Sequence, residues 1–212
     1  MRSLYHIAIE GPIGVGKTSL SHLLRDRLDA RLVLEEFEEN PFLKSFYQDQ
    51  RRYAFQTQLF FLLSRYRQYE GLRQTDLFSR LLITDYMFQK DRLFAYLTLD
   101  EQEMNLYDRI AELLERQVSY PDLVIYLQAD TDRLLYNIRK RARSFEAPIT
   151  RDYMEALNQV YNEYFFRYTE SPLLIVNATD IDFVNNEADL NDLLATIRQP
   201  IDGTKFYNPI KR

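Results

Sequence analysis

The sequence predicts an α/β fold in which helices cover both faces of a parallel β-sheet. Short runs rich in leucine and β-branched residues alternate along the chain with longer segments whose apolar residues recur every three or four positions. A glycine-rich turn joins the first apolar run to the first amphipathic segment. Strands that alternate with helices are joined by βαβ crossovers, which make the strands parallel. A chain of 212 residues can form one such domain with a substantial core.

The apolar runs predict five strands, and the amphipathic segments predict the helices between them. Strands are predicted at residues 5–10, 31–34, 81–85, 123–128 and, more weakly, 173–177. Helices are predicted at residues 18–28, 53–74, 100–117, 130–142 and 151–167. The result is a five-stranded parallel sheet in a single domain over residues 1–199, followed by an irregular tail over residues 200–212.

Composition excludes several classes of function. The net charge of −5 and the pI near 5.2 argue against a protein that binds nucleic acid or an anionic membrane, because both need a basic face. The absence of cysteine excludes disulfides and thiolate chemistry, and the two histidines are too few for a histidine metal site. No apolar run approaches the ~20 residues of a membrane span. We therefore expect a cytoplasmic protein whose partners are small molecules.

The turn after the first strand is a P-loop. Three of the five glycines in the chain lie between positions 11 and 16, where backbone N–H groups must approach a ligand closely. The helix that follows adds its positive end, and a lysine and a threonine stand at its start. This pattern predicts binding of a nucleoside triphosphate, and we expect ATP as the ligand and a P-loop kinase fold. The predicted ATP-binding residues here are Gly11, Gly14, Val15, Gly16, Lys17, Thr18 and Ser19.

Two acidic positions follow neighbouring strands, where ligands bind in open α/β sheets. Asp85 ends the third strand and is a candidate Mg²⁺ ligand together with Thr18, although a helix cap is the alternative for this carboxylate. After the second strand, four acids lie between Glu35 and Glu39. Such a run is usually a solvated face, but a hydroxyl acceptor in phosphoryl transfer needs a base held by rigid backbone.

From this point the sequence resembles the deoxynucleoside kinase family, most closely the bacterial deoxyguanosine/deoxyadenosine kinases, from the P-loop to about Phe183. In that family an acid followed by Pro-Val ends the second strand and serves as the catalytic base. The resemblance assigns this position to Glu35 and leaves Glu36 as a rival, because Glu36 and Phe37 stand where Pro-Val usually does.

The family also has a tyrosine eleven residues before a glutamine, and an arginine seven residues after that glutamine. Tyr47, Gln58 and Arg65 satisfy both intervals, and Gln56 satisfies neither. The resemblance implies that Tyr47 binds the sugar 3′-hydroxyl, that Gln58 reads the edge of the base, and that Arg65 lies beside the base. An amide suits a base edge because it offers both a donor and an acceptor.

After the third strand the family commonly has an acid–arginine pair and a further acid six residues later. This chain has Asp85, Tyr86 and Asp91, so the acids match and the arginine does not. The resemblance places all three residues at the substrate, with Asp91 near the base. Tyr86 cannot supply the positive charge that many members place beside the base and phosphates.

The segment from Arg139 to Glu146 resembles the short arginine-rich lid of the family. The resemblance makes Arg141 and Arg143 catalytic, because arginine meets charge spread over the oxygens of a transferring phosphoryl group. It also places Glu146 at the sugar 3′-hydroxyl and Arg139 at the nucleotide.

Two lid positions depart from the family. Asn137 replaces an arginine, and Ala142 replaces a glycine, which predicts a stiffer lid. Farther along, Asp182 and Phe183 resemble the loop that contacts adenine in the family.

These expectations predict a deoxynucleoside kinase that transfers the γ-phosphoryl of ATP to the 5′-hydroxyl of a purine deoxynucleoside, with Glu35 and Lys17 also catalytic. The alternatives are a nucleoside monophosphate kinase and a non-catalytic subunit with the same fold. Two helices are unusually aromatic, and their side chains belong to the core, to a dimer interface or to the wall of a pocket for a flat ligand. The resemblance favours a homodimer.

Overall fold

The computed structural model describes residues 4–75 and 81–209. The predicted domain and tail also include residues 1–3, 76–80 and 210–212, which lie outside the described residues. Among the described helices, none is both long and apolar enough to cross a membrane.

Strands alternate with helical segments as predicted, and the structure adds three helices that were not predicted, at Leu43–Gln48, Lys90–Thr98 and Glu187–Ile197. The strands are β1 (His6–Glu10), β2 (Arg31–Val33), β3 (Leu82–Thr84), β4 (Leu123–Gln128), β5 (Leu173–Asn177) and β6 (Thr204–Tyr207). The helices are α1 (Lys17–Leu28), α2 (Leu43–Gln48), α3 (Gln50–Thr75), α4 (Lys90–Thr98), α5 (Glu101–Glu115), α6 (Thr131–Arg141), α7 (Arg151–Phe166) and α8 (Glu187–Ile197). Short 3₁₀ turns occupy Phe37–Glu39 and Ser144–Glu146.

The sheet is parallel throughout, with strand order β2-β3-β1-β4-β5-β6, which confirms the predicted architecture. The number of strands is six, where five were predicted. The sixth strand comes from the tail that was predicted to be irregular: Thr204 pairs with Leu173 and Tyr207 with Val176. The prediction missed β6 because it is an exposed edge strand of four residues that follows Gly203, so no apolar run marks it.

The buried centre of the sheet reflects its sequence directly. In β1, Ile7, Ala8 and Ile9 are completely buried, as are most residues of β4, because helices cover both faces. Tyr161 and Phe165 of α7 stack on Tyr126 of β4, so these aromatic residues belong to the core. Phe166, by contrast, is 85% exposed.

The chain order of the strands creates a site. From β1 the chain runs outward to β2, returns to β3 beside β1, and then crosses to β4 on the other side of β1. In parallel α/β sheets, a crevice opens at the carboxyl ends of the strands where the order reverses. The P-loop, Glu35 and Asp85 follow β1, β2 and β3 respectively, and so meet at this edge.

Candidate active site

The P-loop conformation depends on its glycines. Gly11, Gly14 and Gly16 have φ angles of 149°, 86° and 106°, which side chains rarely tolerate. Space is equally restrictive, because a Cβ at Gly11 would lie 2.5 Å from the carbonyl oxygen of Leu127, and one at Gly14 would lie 2.7 Å from that of Leu134. The loop therefore packs tightly against β4 and α6 and leads into the N-terminus of α1, as a phosphate cradle does.

Lys17 is folded back over this loop. Its Nζ donates to the carbonyl oxygens of Gly11 at 2.7 Å and Pro12 at 3.1 Å. Burial and repulsion by Lys90 lower the pKa of Lys17 to about 8. The ammonium group thus lies at the mouth of the cradle in an environment that an anion would stabilise.

Asp85 connects the loops that follow three strands. Its Oδ2 accepts a hydrogen bond from Thr18 Oγ1 at 2.6 Å, and its Oδ1 accepts one from the backbone N–H of Glu35 at 2.8 Å. Glu10, at the end of β1, is completely buried and accepts hydrogen bonds from the N–H groups of Gly11 and Met87. The carboxylates of Asp85 and Glu10 therefore fix the relative positions of the P-loop, Glu35 and the start of α4.

Four charged side chains form a buried cluster beside the P-loop. Arg65 of α3 forms ion pairs with Glu35 and with Asp91 of α4. Lys90 donates from Nζ to the other carboxylate oxygen of Glu35 at 2.7 Å. Arg65, Lys90 and Asp91 are only 3%, 5% and 1% exposed, so the cluster is shielded from solvent screening.

The cluster sets the protonation of its acids. Burial alone would raise the pKa of Glu35, but the charges of Arg65 and Lys90 outweigh it and hold that pKa well below its usual range. For Asp91 burial dominates over the attraction of Arg65 and raises the pKa to about 6. Glu35 is therefore ionised at neutral pH, whereas the pKa of Asp91 lies just below neutral pH.

Glu35 and Glu36, the two rivals for the base position, lie on different sides of the backbone. Glu35 lines the buried cleft with Lys17, Thr18 and Arg65, whereas Glu36 is exposed and lines a separate surface depression. The rival glutamines separate in the same way, because Gln58 is buried in the cleft and Gln56 is exposed.

Polar atoms without partners line the far end of this cleft. Gln58 Nε2 donates to Thr98 Oγ1 at 3.3 Å, while its Oε1 has no hydrogen-bond partner among the described residues. The same holds for Asp91 Oδ2 and for the hydroxyl of Tyr153. Because these three atoms share one cleft, they are available to form hydrogen bonds with a ligand there.

The lid folds over the cleft. Arg141 Nε donates to Glu146 Oε2 at 2.7 Å, and Arg143 lies 4.4 Å above the ring of Phe37. Glu146 and Tyr47 both line the cleft, and Tyr47 stacks on Phe145 with ring centres 6.3 Å apart. The predicted catalytic arginines are therefore at the cleft, with Arg141 bound to the carboxylate predicted to contact the sugar.

The two departures of the lid have structural consequences. Asn137 donates from Nδ2 to the carbonyl oxygen of Gly14 at 2.8 Å, so it ties α6 to the P-loop. Ala142 ends α6 in the left-handed conformation, with φ of 53°, a position where glycine is preferred.

A second, open depression lies on the other side of the P-loop, between α6 and the loop before α8. Val15, Ser19, Asp182 and Phe183 line it; all four are residues that the sequence predicts at the nucleotide, and the ring of Phe183 lies 3.2 Å from where a Cβ on Gly16 would be. Arg139 is exposed and lines neither cavity, whereas Arg133 and Lys140 line this one without having been predicted.

Residues 7–202 match the deoxynucleoside kinase family. The chain belongs to this family. It is 34% identical over 208 residues to a deoxyguanosine kinase of Bacillus subtilis, a match that covers 95% of this chain and 100% of the relative. It is 29% identical over 209 residues to a deoxyadenosine kinase of Lactobacillus acidophilus, covering 92% of this chain and 95% of the relative.

The fold of this family member agrees with a solved structure. The deoxyadenosine kinase from M. mycoides with bound dATP superposes with a TM-score of 0.80 at 26% identity, covering 92% of this chain and 100% of that chain. The resemblance and the α/β fold inferred from the sequence are therefore confirmed.

Two cleft features of this deoxynucleoside kinase family member escaped the sequence reasoning. Lys90 and Tyr153 line the cleft, although neither belongs to a motif with a recognisable interval; the nearest signal for Lys90 is its position directly before Asp91. Tyr86 was predicted at the substrate, but its side chain lines a separate small cavity behind Arg65. Its predicted substrate contact has no counterpart in the cleft.

Proposed function

We propose that this protein transfers the γ-phosphoryl group of ATP to the 5′-hydroxyl of a purine deoxynucleoside, deoxyguanosine or deoxyadenosine. One observation carries the proposal: a single cleft joins the P-loop, the buried carboxylate of Glu35 and a far end lined by unpartnered polar atoms. The P-loop suits the phosphoryl donor, Glu35 suits the hydroxyl group of the acceptor, and the far end suits the nucleobase of the acceptor.

The donor binds at the P-loop, with its adenine in the depression lined by Asp182 and Phe183. The hydroxyl of Thr18 and the carboxylate of Asp85 are two hard oxygen ligands beside the cradle, which suits Mg²⁺ because this ion uses few protein ligands and takes the rest from phosphates and water. When bound, Mg²⁺ would neutralise charge on the phosphate oxygens. Lys17 supplies a further positive charge at the same place.

The acceptor lies with its 5′-hydroxyl at Glu35 and its 3′-hydroxyl at Tyr47 and Glu146. In the transfer, the acceptor oxygen forms a bond to the γ-phosphorus while the bond from this phosphorus to the β,γ-bridging oxygen breaks, giving ADP and a deoxynucleoside monophosphate. The hydroxyl proton passes to Glu35. Arg141 and Arg143 from the lid stabilise the charge on the transferred group.

The base is read by Gln58, Arg65 and Asp91. The free acceptor atoms Gln58 Oε1 and Asp91 Oδ2 suit N–H groups of the base, and the guanidinium of Arg65 suits ring acceptors. A purine offers donors and acceptors of both kinds on adjacent edges. The names of the relatives, which include deoxyguanosine and deoxyadenosine kinases, support the same substrate class.

A homodimer is part of the proposal. Phe166 of α7 and Tyr96 of α4 are 85% and 74% exposed, and α4 packs on α7. Large exposed aromatic side chains are common where proteins associate. Light scattering in solution tests this, and a monomer at all concentrations would contradict it.

The test of the proposed function is a substrate panel. The four deoxynucleosides, and separately their monophosphates, are offered with ATP and Mg²⁺, and ADP and the phosphorylated product are quantified. We expect turnover with a purine deoxynucleoside. Turnover with monophosphates alone would make the protein a nucleoside monophosphate kinase, and ATP turnover with no acceptor would refute both.

The role of Glu35 is tested by a matched pair of variants. Glu35→Gln is expected to reduce turnover at least a hundredfold, because the proton loses its acceptor. The adjacent Glu36→Gln is the control, since Glu36 is exposed and lies outside the cleft, and its turnover should stay near that of the wild type. The reverse result would transfer the role to Glu36.

A further inference from the structure

Lys90 is the first residue of α4, and no sequence motif places it in the site. It is 5% exposed and lines the same cleft as Lys17 and Thr18. Its Nζ donates to Glu35 Oε2 at 2.7 Å and lies 5.8 Å above the ring of Phe94. A second ammonium group thus faces the acceptor end of the P-loop.

This position is unfavourable for a lysine in two ways. A cation in the first turn of a helix opposes the positive end of the helix dipole. Burial of an ammonium group also requires a facing anion. Glu35 is that anion in the structure. One of its carboxylate oxygens faces Lys90, and the other already accepts from Arg65.

Lys90 and Lys17 also act on each other. Both ammonium groups line the same cleft, where Lys17 donates to the carbonyl oxygens of Gly11 and Pro12 and Lys90 donates to Glu35. Two ammonium groups that line one cleft and repel each other are relieved by an anion that binds between them. The acceptor end of the P-loop is where a transferring phosphoryl group passes.

We propose that Lys90 is a second phosphoryl-binding cation, which contacts the transferred group once the substrate hydroxyl takes its place at Glu35. The inference rests on the proposed deoxynucleoside kinase activity. The two proposals can fail separately. The substrate panel on the wild type tests the kinase activity, whereas normal turnover of deoxynucleosides by a Lys90 variant would refute this inference alone.

The first experiment is an equilibrium binding cycle without turnover. Binding of the preferred deoxynucleoside and of its 5′-monophosphate is measured by calorimetry for the wild type, Glu35→Gln, Lys90→Met and the double variant. If Lys90 contacts the phosphate, Lys90→Met weakens monophosphate binding roughly tenfold to a hundredfold, as expected for a charged hydrogen bond, and changes nucleoside binding much less.

The double variant keeps the test decisive if Lys90→Met does not fold, because Glu35→Gln removes the carboxylate that would be left buried. A further tenfold loss of monophosphate affinity in the double variant, relative to Glu35→Gln, supports the proposal. Equal affinities in these two variants would show that Lys90 serves only as the partner of Glu35, and would overturn it.

The second experiment is kinetic. Lys90→Met is expected to lower kcat about a hundredfold with KM for the nucleoside within a few-fold of the wild type. Arg92→Met is the control, since Arg92 is 38% exposed, pairs with Asp108 and Glu115, and should leave kcat unchanged. A kcat for Lys90→Met within threefold of the wild type refutes the inference.

Discussion

Replacement of Arg65 by methionine should destabilise the protein strongly and in a pH-dependent way. Arg65 is 3% exposed and ion-paired to both Glu35 and Asp91. In the variant, Glu35 keeps Lys90 as its partner, whereas Asp91 loses the cation that opposes its burial. Breaking a buried ion pair by removing one partner costs about 3–5 kcal/mol.

This loss is large relative to a total unfolding free energy of roughly 5–15 kcal/mol. For a chain of this size, each kcal/mol shifts Tm by about 2–4 °C, so Tm should fall by roughly 6–20 °C. Urea unfolding followed by circular dichroism measures the free energy. The control is Arg67→Met on the same helix, an exposed site where a change within about 0.5 kcal/mol is expected.

The pH dependence follows from the sign of the Asp91 shift. The pKa of Asp91 is about 6 in the folded protein, above its ordinary value, so its ionisation lowers stability as pH rises through that range. Without Arg65 this pKa rises further, and each unit adds about 1.4 kcal/mol to the deficit at neutral pH. The deficit of Arg65→Met should therefore be smaller at pH 5 than at pH 7.5.

Asp91→Asn in the Arg65→Met background tests the reasoning directly. It removes the unpaired carboxylate, so it should recover about 2 kcal/mol and abolish most of the pH dependence. A double variant as unstable as Arg65→Met, or a deficit equal at both pH values, would refute the reasoning that the buried charge of Asp91 causes the loss.

Three further predictions concern the P-loop and the lid. Gly14→Ala should weaken ATP binding at least tenfold in a fluorescent-analogue titration, because its Cβ would lie 2.7 Å from a carbonyl oxygen. Gly71→Ala should bind normally, because a Cβ there would approach no described atom beyond its own stretch of helix within 4 Å. Ala142→Gly should raise the unfolding free energy by about 0.5–1 kcal/mol by removing left-handed strain; a loss would show that chain entropy dominates. KM for ATP should rise roughly tenfold between pH 7 and 9, as Lys17 with its pKa of about 8 loses its charge, and a flat profile would contradict that pKa.

The parts of the fold and site that the sequence predicts are those encoded locally. The P-loop needs positive φ angles at positions only a few residues apart. The glycines at these positions, Gly11, Gly14 and Gly16, predict such angles from the sequence. Strands β1 and β4 are continuous apolar runs because both faces of the sheet are covered. Asp85 is predictable because it directly follows β3, a strand that its apolar residues mark in the sequence.

The parts that were missed depend on contacts between distant segments. Strand β6 has no apolar run, and it is a strand because β5 offers it a free edge. Lys90 is an ordinary residue at a helix start until α4 is packed against α3, which brings it to Glu35. Tyr86 was misplaced because the direction of a side chain after a strand depends on the loop that follows, which no motif records.

The ion pairs of the cleft couple the two proposed substrates. Glu35 and Glu146, which would receive the 5′- and 3′-hydroxyls of the nucleoside, are bound to Lys90 and Arg141 in the structure. By our proposals, these same two cations meet the transferred phosphoryl group. A nucleoside that takes over hydrogen bonds to the carboxylates therefore releases positive charge toward the P-loop. Because a buried cation requires a facing anion, this release favours polyphosphate binding, so the cleft binds ATP more favourably once the acceptor has arrived.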